Sequence, residues 1–196
     1  MKVAVTPRGT HFSKALNTSH CYRVTMKALG LLGGTFDRFH KGHRKLLEIG
    51  LSECQNLEIW MTSDNLAKGK DPRIESWSDR KELIINTLEG DVLERISFHV
   101  LEDLYGPATN REDVQAIVCT PETVENCKKI NSLRLENSLA PLHIIIAEHE
   151  LDWKGRPISS TNIRRGIMDR EGYPWLHEEI GSVSYTHLRA HETIAD

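Results

Sequence analysis

The chain has 196 residues and a formal net charge of −3, which makes it long enough for one domain with a sizeable core and too short for two ordinary domains. A charge this small excludes the global field that would attract nucleic acid or an acidic membrane surface, so any phosphate-binding site must be local. The four cysteines show no C-x-x-C spacing, which favours free thiols in a reducing compartment. The sequence has no apolar core of a secretory signal, and no apolar run approaches the about 20 residues of a membrane-spanning helix. These features predict a cytoplasmic protein.

The two ends of the chain differ in composition from its middle. Residues 1–25 contain basic and hydroxyl side chains but no acidic one, a bias that organelle transit peptides share. A natural start at Met26 is the favoured interpretation, ahead of a transit peptide and a short ordered extension. Residues 181–196 show neither apolar periodicity nor a motif, and Ser184 to Asp196 resemble a translated sequencing adapter. We therefore expect one domain over residues 26–180, with terminal segments that are disordered or not native.

Between these ends, strand-like and helix-like segments alternate along the chain. An apolar stripe that includes Leu47 and Leu51 indicates the first helix. Alternation of Ile96, Phe98 and Val100 indicates the third strand. The predicted strands cover 28–33, 56–63, 95–103, 116–119 and 143–150, and the predicted helices cover 43–53, 76–88, 122–139 and 160–169.

This alternation predicts an α/β fold, a Rossmann-like, doubly wound, mostly parallel sheet with helices on both faces. Such sheets bind ligands beyond the carboxyl ends of their strands, at a topological switch point. Four motifs come directly after predicted strands, and we expect them to share one crevice. The motifs are GGTFDRFHKGH (33–43), TSD (62–64), TPET (120–123) and PISST (157–161).

The first motif combines glycines and histidines at a strand-to-helix junction. Gly33 and Gly34 let the chain leave the strand closely, and Gly42 removes a side chain where a ligand would approach the backbone. His40 and His43, three apart, could face one anion together with the helix N-terminus. The same residues also suit an ordinary turn and helix cap. No zinc site is expected, because no cysteine or carboxylate set accompanies the histidines.

The second motif, ISSTNIRRG, offers a similar set of groups. Ser159, Ser160 and Thr161 supply hydroxyls and a natural N-cap, while Arg164 lies one turn into the helix and can reach back. An ordinary cap with a solvated basic turn explains the same residues. Neither G-x-x-x-x-G-K-[ST] nor G-x-G-x-x-G occurs, so binding of a nucleotide would need a different kind of site.

Together, T-F-D-x-x-H-x-G-H and I-S-S-T-x-I-R resemble the paired motifs of the Rossmann-like nucleotidyltransferase superfamily. With TSD followed by a lysine, YGPA, TPET and GRPISSTNIRRG in this order, residues 28–175 resemble phosphopantetheine adenylyltransferases of the archaeal and eukaryotic type. The resemblance implies adenylyl transfer from ATP to 4′-phosphopantetheine in coenzyme A biosynthesis, with Mg²⁺ carried by ATP and no protein metal site. Oligomeric state stays open.

The resemblance also implies roles for single residues. His43 would stabilise the α-phosphate and His40 would hold the triphosphate. Lys70 would be the third catalytic group and would bridge the donor and acceptor phosphates. Lys68 is the alternative to Lys70 in this role. Thr35 would bind the substrate phosphate, and Tyr105 would border the pantetheine arm unless DLYGP is a plain turn. TPET would lie near the adenine or ribose, or simply start a helix. The implied ATP-binding residues are Gly33, Gly34, Phe36, His40, Gly42, His43, Thr120, Ser159, Ser160, Thr161 and Arg164.

Other readings of the same motifs compete with this one. Nicotinamide mononucleotide or FMN adenylyltransferases and glycerol-3-phosphate or phosphocholine cytidylyltransferases tend to carry I-S-G-T-x-I-R or R-T-x-G-I-S-T-T, whereas this chain has GRPISST. Class I aminoacyl-tRNA synthetases also use H-x-G-H, but the chain is short and net acidic. A catalytically silent nucleotide-binding module is the third alternative, and the intact His40, His43, Ser159 and Arg164 count against it.

Overall fold

The computed structural model describes residues 26–88 and 90–175 of the chain. Within them one five-stranded sheet forms, and all its neighbouring strands are parallel. The strands are β1 (Lys27–Gly34), β2 (Cys54–Thr62), β3 (Ile96–Leu101), β4 (Ala116–Cys119) and β5 (His143–Ile146). Their order is β3-β2-β1-β4-β5. The segments predicted over 1–25 and 181–196 lie outside the described residues, so the domain boundaries stay predictions.

The helices of the described residues cover both faces of this sheet. They are α1 (Lys41–Glu53), α2 (Asp64–Lys70), α3 (Trp77–Thr87), α4 (Val124–Glu136) and α5 (Ser160–Arg164). None of the helices described is long and apolar enough to cross a membrane. The parallel sheet with its crossover helices confirms the predicted doubly wound α/β fold.

Alternate side chains of the strands enter two cores, one on each face of the sheet. Leu32 of β1 shares a core with Leu47 of α1 and Ile84 of α3, all at most 1% exposed. On the other face, Leu31 shares a core with Ile130 of α4. The chain runs outward from β1 through β2 to β3 and then crosses to β4 on the other side of β1. The loop after β1 therefore lies at the switch point of the sheet.

The last helix is shorter than predicted, because it ends at Arg164 rather than near Asp169. Gly166 follows with φ of +70°, a left-handed conformation that glycine adopts without strain. The backbone N–H of Ile167 then donates to the carbonyl of Asn162, which is the hydrogen bond of a Schellman motif. The helix-like sequence beyond this glycine is therefore not helical.

Helix α2 was not predicted from the sequence. Ser63 caps it by accepting a hydrogen bond from the backbone N–H of Leu66, and Ala67 is its buried residue. A helix with so little buried surface leaves no apolar stripe to detect. The predicted strands at 95–103 and 143–150 are also shorter in the structure, ending at Leu101 and Ile146.

Candidate active site

A cavity of about 560 Å³ lies at the carboxyl edge of the sheet, where the segments after β1, α2, β4 and β5 meet the first turn of α5. Three of the four predicted motifs reach it. TSD does not line the cavity, but it begins the helix that ends at Lys70. The predicted site residues that line the cavity are Thr35, Phe36, His40, Gly42, His43, Lys70, Thr120, Ser159, Ser160, Thr161 and Arg164.

Four predicted residues lie outside the cavity lining. Gly33 and Gly34 end β1, and Lys68 is exposed on α2. Tyr105 precedes a short 3-10 turn and packs against the second core, with the Lys129 ammonium 5.7 Å from its ring. The sequence left Lys68 and Lys70 as alternatives, and only the second of them reaches the cavity.

Thr120 is held by the start of the segment that follows β4. Its backbone N–H donates to Oγ1 of Thr123 at 3.2 Å, and the two residues form a capping box around the 3-10 turn Pro121–Thr123. TPET therefore starts a helix, as one of its two interpretations predicted. Thr120 also lines the cavity.

His40 and His43 form a stacked pair at the start of α1. His40 is the N-cap, and the two ring centroids lie 3.8 Å apart at an interplanar angle of 23°. The backbone N–H of His40 donates to Nδ1 of His43 at 3.4 Å, so the proton of the neutral His43 ring belongs on Nε2. A Cβ added at Gly42 would lie 3.1 Å from Cε1 of His40. The pair thus offers a hydrogen-bond donor beside the positive end of the α1 dipole.

Burial keeps both imidazoles neutral. Desolvation lowers the pKa of His40 to about 4, and the nearby Arg44 charge acts in the same direction. The His43 ring packs against Phe36 and Phe39, and burial lowers its pKa well below the usual value, with His40 as a second cause. At neutral pH the two rings therefore act through hydrogen bonds rather than as cations.

Asp37 joins the first motif to the second. Nη1 of Arg164 donates to Oδ2 of Asp37, and Oγ of Ser160 donates to the Asp37 carbonyl at 2.7 Å. The backbone N–H of Glu75 donates to Oδ1 at 3.4 Å. Asp37 is 2% exposed and the Arg164 side chain is 8% exposed. This aspartate lies within the first sequence motif, but the motif predicted no role for it.

The backbone on either side of Asp37 is strained. Phe36 and Arg38 have φ of 55° and 49°, left-handed values that are uncommon for residues other than glycine. Gly34 makes room for this turn, since an added Cβ would lie 3.0 Å from the Phe36 ring. Such strain persists where surrounding contacts hold it, and here the contacts of Asp37 do so.

Arg80, which no motif indicated, fixes the start of the same loop. It is completely buried in α3. Nη1 donates to the Thr35 carbonyl at 2.6 Å and Nη2 to the Thr62 carbonyl at 2.8 Å, while Nε donates to the Glu75 carbonyl at 2.9 Å. One guanidinium thus ties together the ends of β1 and β2 and the approach to α3.

Arg164 has a second carboxylate neighbour, Asp71. Nε of Arg164 lies 3.3 Å from Oδ2 of Asp71, and Nη2 donates to Oγ1 of Thr161 at 3.2 Å. Nε and Nη2 of Arg73 donate hydrogen bonds to the two carboxylate oxygens of Asp71. These hydrogen bonds hold the pKa of Asp71 well below its usual range. The charge of Arg164 is therefore balanced inside the protein.

Known proteins resemble this chain over most of its length. Residues 31–166 match the family model described as cytidylyltransferase-like. A phosphopantetheine adenylyltransferase from Methanothermobacter thermautotrophicus is 38% identical over 148 residues, which make up 74% of this chain and 88% of that protein. The chain belongs to the phosphopantetheine adenylyltransferase family. The resemblance inferred from the motifs is thereby confirmed, and the family is one of nucleotidyltransferases.

Another member of the phosphopantetheine adenylyltransferase family, from Methanosarcina barkeri, is 34% identical over 145 residues, 72% of this chain and 89% of that protein. Among solved structures, a protein of unknown function from Archaeoglobus fulgidus matches with a TM-score of 0.53 at 26% identity. That match covers 60% of this chain and 87% of the other. The sequence relatives thus share the family, and the structural neighbour shares the fold.

Proposed function

We propose that this protein transfers the adenylyl group of ATP to the phosphate of 4′-phosphopantetheine, giving dephospho-coenzyme A and pyrophosphate in coenzyme A biosynthesis. The observation that carries the proposal is the stacked, neutral His40–His43 pair at the start of α1. The pair lines the same cavity as Lys70 and the start of α5. The family relatives are named for this reaction rather than for another acceptor.

The reaction needs positioning and charge stabilisation rather than a nucleophilic side chain. A phosphate oxygen of the acceptor bonds to the α-phosphorus of ATP as the bond to the pyrophosphate oxygen breaks. Nε2–H of His43 donates to the α-phosphate as negative charge builds on its oxygens, while His40 helps to hold the triphosphate. The α1 helix adds the positive end of its dipole, and its first turn contains no acidic residue.

The acceptor and donor phosphates are bound by different residues of the cavity lining. Thr35 and Lys70 serve the acceptor, and in the described residues no carboxylate pairs with Lys70. Ser159 serves the triphosphate at the start of α5. Its Oγ accepts the backbone N–H of Asn162, which leaves the hydroxyl proton free to be donated to a phosphate oxygen.

The Mg²⁺ of this reaction arrives with ATP. Phosphate oxygens and water would hold it, as they usually do in nucleotide sites, and it would neutralise charge on the phosphates. Of the carboxylates that line the cavity, Asp37, Asp71 and Glu150 are paired with Arg164, Arg73 and Lys41. Among the described residues no group of three or more histidine, cysteine or carboxylate side chains could hold a metal ion. This chain's contribution is to orient the phosphates around the ion.

One assay separates this function from its competitors. The protein is incubated with Mg²⁺ and ATP plus 4′-phosphopantetheine, nicotinamide mononucleotide or FMN, and with CTP plus glycerol-3-phosphate or phosphocholine. Released pyrophosphate and the product mass are measured, with His43→Gln as the matched control. We expect pyrophosphate and dephospho-coenzyme A with 4′-phosphopantetheine alone. Release with another pair identifies a different nucleotidyltransferase, and ATP binding without any acceptor-dependent release identifies a silent module.

A further inference from the structure

A second cavity, of about 510 Å³, lies at the amino edge of the sheet. Its wall includes Gln115, which directly precedes β4, and Pro141, which comes shortly before β5. Parallel strands all begin at the same edge of a sheet, so this cavity lies opposite the candidate active site. Its volume is typical of small-molecule sites, which measure about 300–1,000 Å³. Among the residues described, none lines both cavities, so a ligand here would bind apart from ATP and its acceptor.

Arg134 is buried in the wall of this second cavity without a counter-charge. It lies in the last turn of α4 and is 1% exposed. Burial lowers the pKa of its guanidinium, and no carboxylate within residues 26–88 and 90–175 forms an ion pair with it. Arg80 is equally buried, but its Nη2 has Asp64 at 3.3 Å. The negative end of the α4 dipole offsets part of the cost of burying the Arg134 charge, and a bound anion would supply the missing partner.

The hydrogen bonds of Arg134 leave one nitrogen of its guanidinium open. Nε donates to the carbonyl of Ala140 at 2.8 Å. Nη1 donates to the carbonyls of Ala108 and Arg111 at 2.7 and 2.8 Å. Nη2 carries the remaining N–H donors, and they have no acceptor in the part of the chain that the structure describes. These donors are therefore available to a ligand in the cavity that Arg134 lines.

Two neutral side chains of the same wall add further donors. Oε1 of Gln115 accepts the backbone N–H of Ala28 at 2.7 Å, which leaves the amide nitrogen of Gln115 for other partners. Ser138 follows α4 in a left-handed conformation, with φ of 62°, and its backbone N–H donates to the carbonyl of Leu135. Its hydroxyl can then donate to a ligand. Carboxylate oxygens accept strong hydrogen bonds from such a set, and the charged donor contributes most.

Glu112 decides which kind of anion fits this cavity. Its carboxylate is exposed and lines the same wall, and no ion pair holds it among the residues described. It would repel the second negative charge of a phosphate dianion and attract an ammonium group. Val114, Leu139 and Pro141 add apolar surface to the lining. The wall thus complements a molecule with a carboxylate, an ammonium group and an aliphatic body.

We propose that the second cavity binds a free amino acid with an aliphatic side chain, whose carboxylate contacts Arg134 and whose ammonium group contacts Glu112. Such a site is separate from adenylyl transfer, because its residues lie outside the lining of the candidate active site. Arg134 then has two roles, since it holds three backbone carbonyls in place and recognises the ligand carboxylate through Nη2.

Titration calorimetry with L-leucine as the probe tests this site. We expect saturable binding to wild type that Mg²⁺–ATP does not change. Acetate and methylammonium each carry only one of the two charges, and inorganic phosphate meets the Glu112 carboxylate. All three should bind about tenfold more weakly or less, because each lacks one charge-assisted contact.

Glu112→Gln is the decisive variant, because it keeps the shape of an exposed side chain and removes its charge. We expect it to weaken L-leucine binding about tenfold without a change in melting temperature. Arg134→Lys should weaken binding as well, since an ammonium cannot replace the guanidinium contacts. The matched control is Glu136→Gln, which removes an exposed carboxylate of α4 outside the cavity lining and should bind like wild type.

Several results would overturn the assignment. They are no binding of L-leucine to wild type, equal affinity of wild type and Glu112→Gln, and tighter binding of inorganic phosphate than of L-leucine. Competition by Mg²⁺–ATP would overturn it too, because the probe would then occupy the candidate active site. If Arg134→Lys does not fold, Glu112→Gln alone decides. None of these measurements depends on adenylyl transfer, so failure of the proposed function leaves this test unchanged.

Discussion

Arg164 and Asp37 lie 127 positions apart in the sequence and form an ion pair inside the candidate active site. Both side chains are almost completely buried. Asp37 also accepts hydrogen bonds from the Ser160 hydroxyl and the Glu75 backbone, so the pair joins the histidine loop to α5 and to the segment before α3. The shape of the site therefore depends on it.

Removing the aspartate should destabilise the whole domain. Asp37→Ala removes the more buried of the two carboxylates beside Arg164 and leaves Asp71, which Arg73 also binds. We expect a loss of up to about 3–5 kcal/mol in the free energy of unfolding, measured with urea. The matched control is Glu125→Ala, which breaks the exposed pair between Glu125 and Lys128 and should cost at most about 1 kcal/mol. A loss for Asp37→Ala no larger than that of the control would show that the pair does not hold the loop.

The sequence predicted the parts of the site that depend on local patterns. Alternating segments gave the parallel sheet, and parallel strands bring the loops that follow them to one edge, where His40, Ser159 and Thr120 meet. The sequence predicted α5 to be longer than it is, because a glycine such as Gly166 can lie inside a helix or end one. Tertiary contacts decide between these two positions.

Other parts of the site could not be predicted, because they depend on which distant groups meet. Arg80 sits in a helix among polar neighbours, and nothing local shows that its guanidinium is buried against three carbonyls. The sequence likewise contains many pairs of opposite charge, and it does not state that Arg164 meets Asp37 and Asp71. A motif identifies residue types, whereas charge availability appears only after folding.

The His43 side chain should be essential for turnover but not for folding. If its Nε2–H stabilises the α-phosphate, His43→Ala should lower kcat by on the order of 10²-fold or more, since loss of one transition-state donor has that effect. Pyrophosphate release gives the rate, and circular dichroism with thermal unfolding monitors the fold. Because the His43 ring also packs against Phe36 and Phe39, His43→Gln is a second variant that keeps more of the volume. Normal turnover in either folded variant would refute the mechanism.

The two lysines at the end of α2 should differ in their effect on the acceptor. Lys70 lines the cavity and Lys68 does not, so Lys70→Ala should lower kcat/KM for 4′-phosphopantetheine about tenfold or more through loss of a charge-assisted contact. Lys68→Ala removes the same charge two residues away and serves as the control. Equal effects of the two variants would point to the general field of the helix end rather than to one bridging cation.

His40 should make stability depend on pH in mild acid. Its pKa is 6.5 in the unfolded chain and about 4 in the folded protein, where burial is the main cause and the Arg44 charge the second. Between these values the unfolded chain binds a proton that the folded protein does not. The stabilisation is therefore complete above pH 6.5 and is lost as the pH falls through about 4.

From pH 7.5 to pH 5, wild type should lose about 2 kcal/mol more free energy of unfolding than His40→Gln, which lacks the titrating ring. Urea unfolding at the two pH values measures both losses, and His43 is present in both proteins. Equal losses would mean that the buried imidazole does not control acid sensitivity.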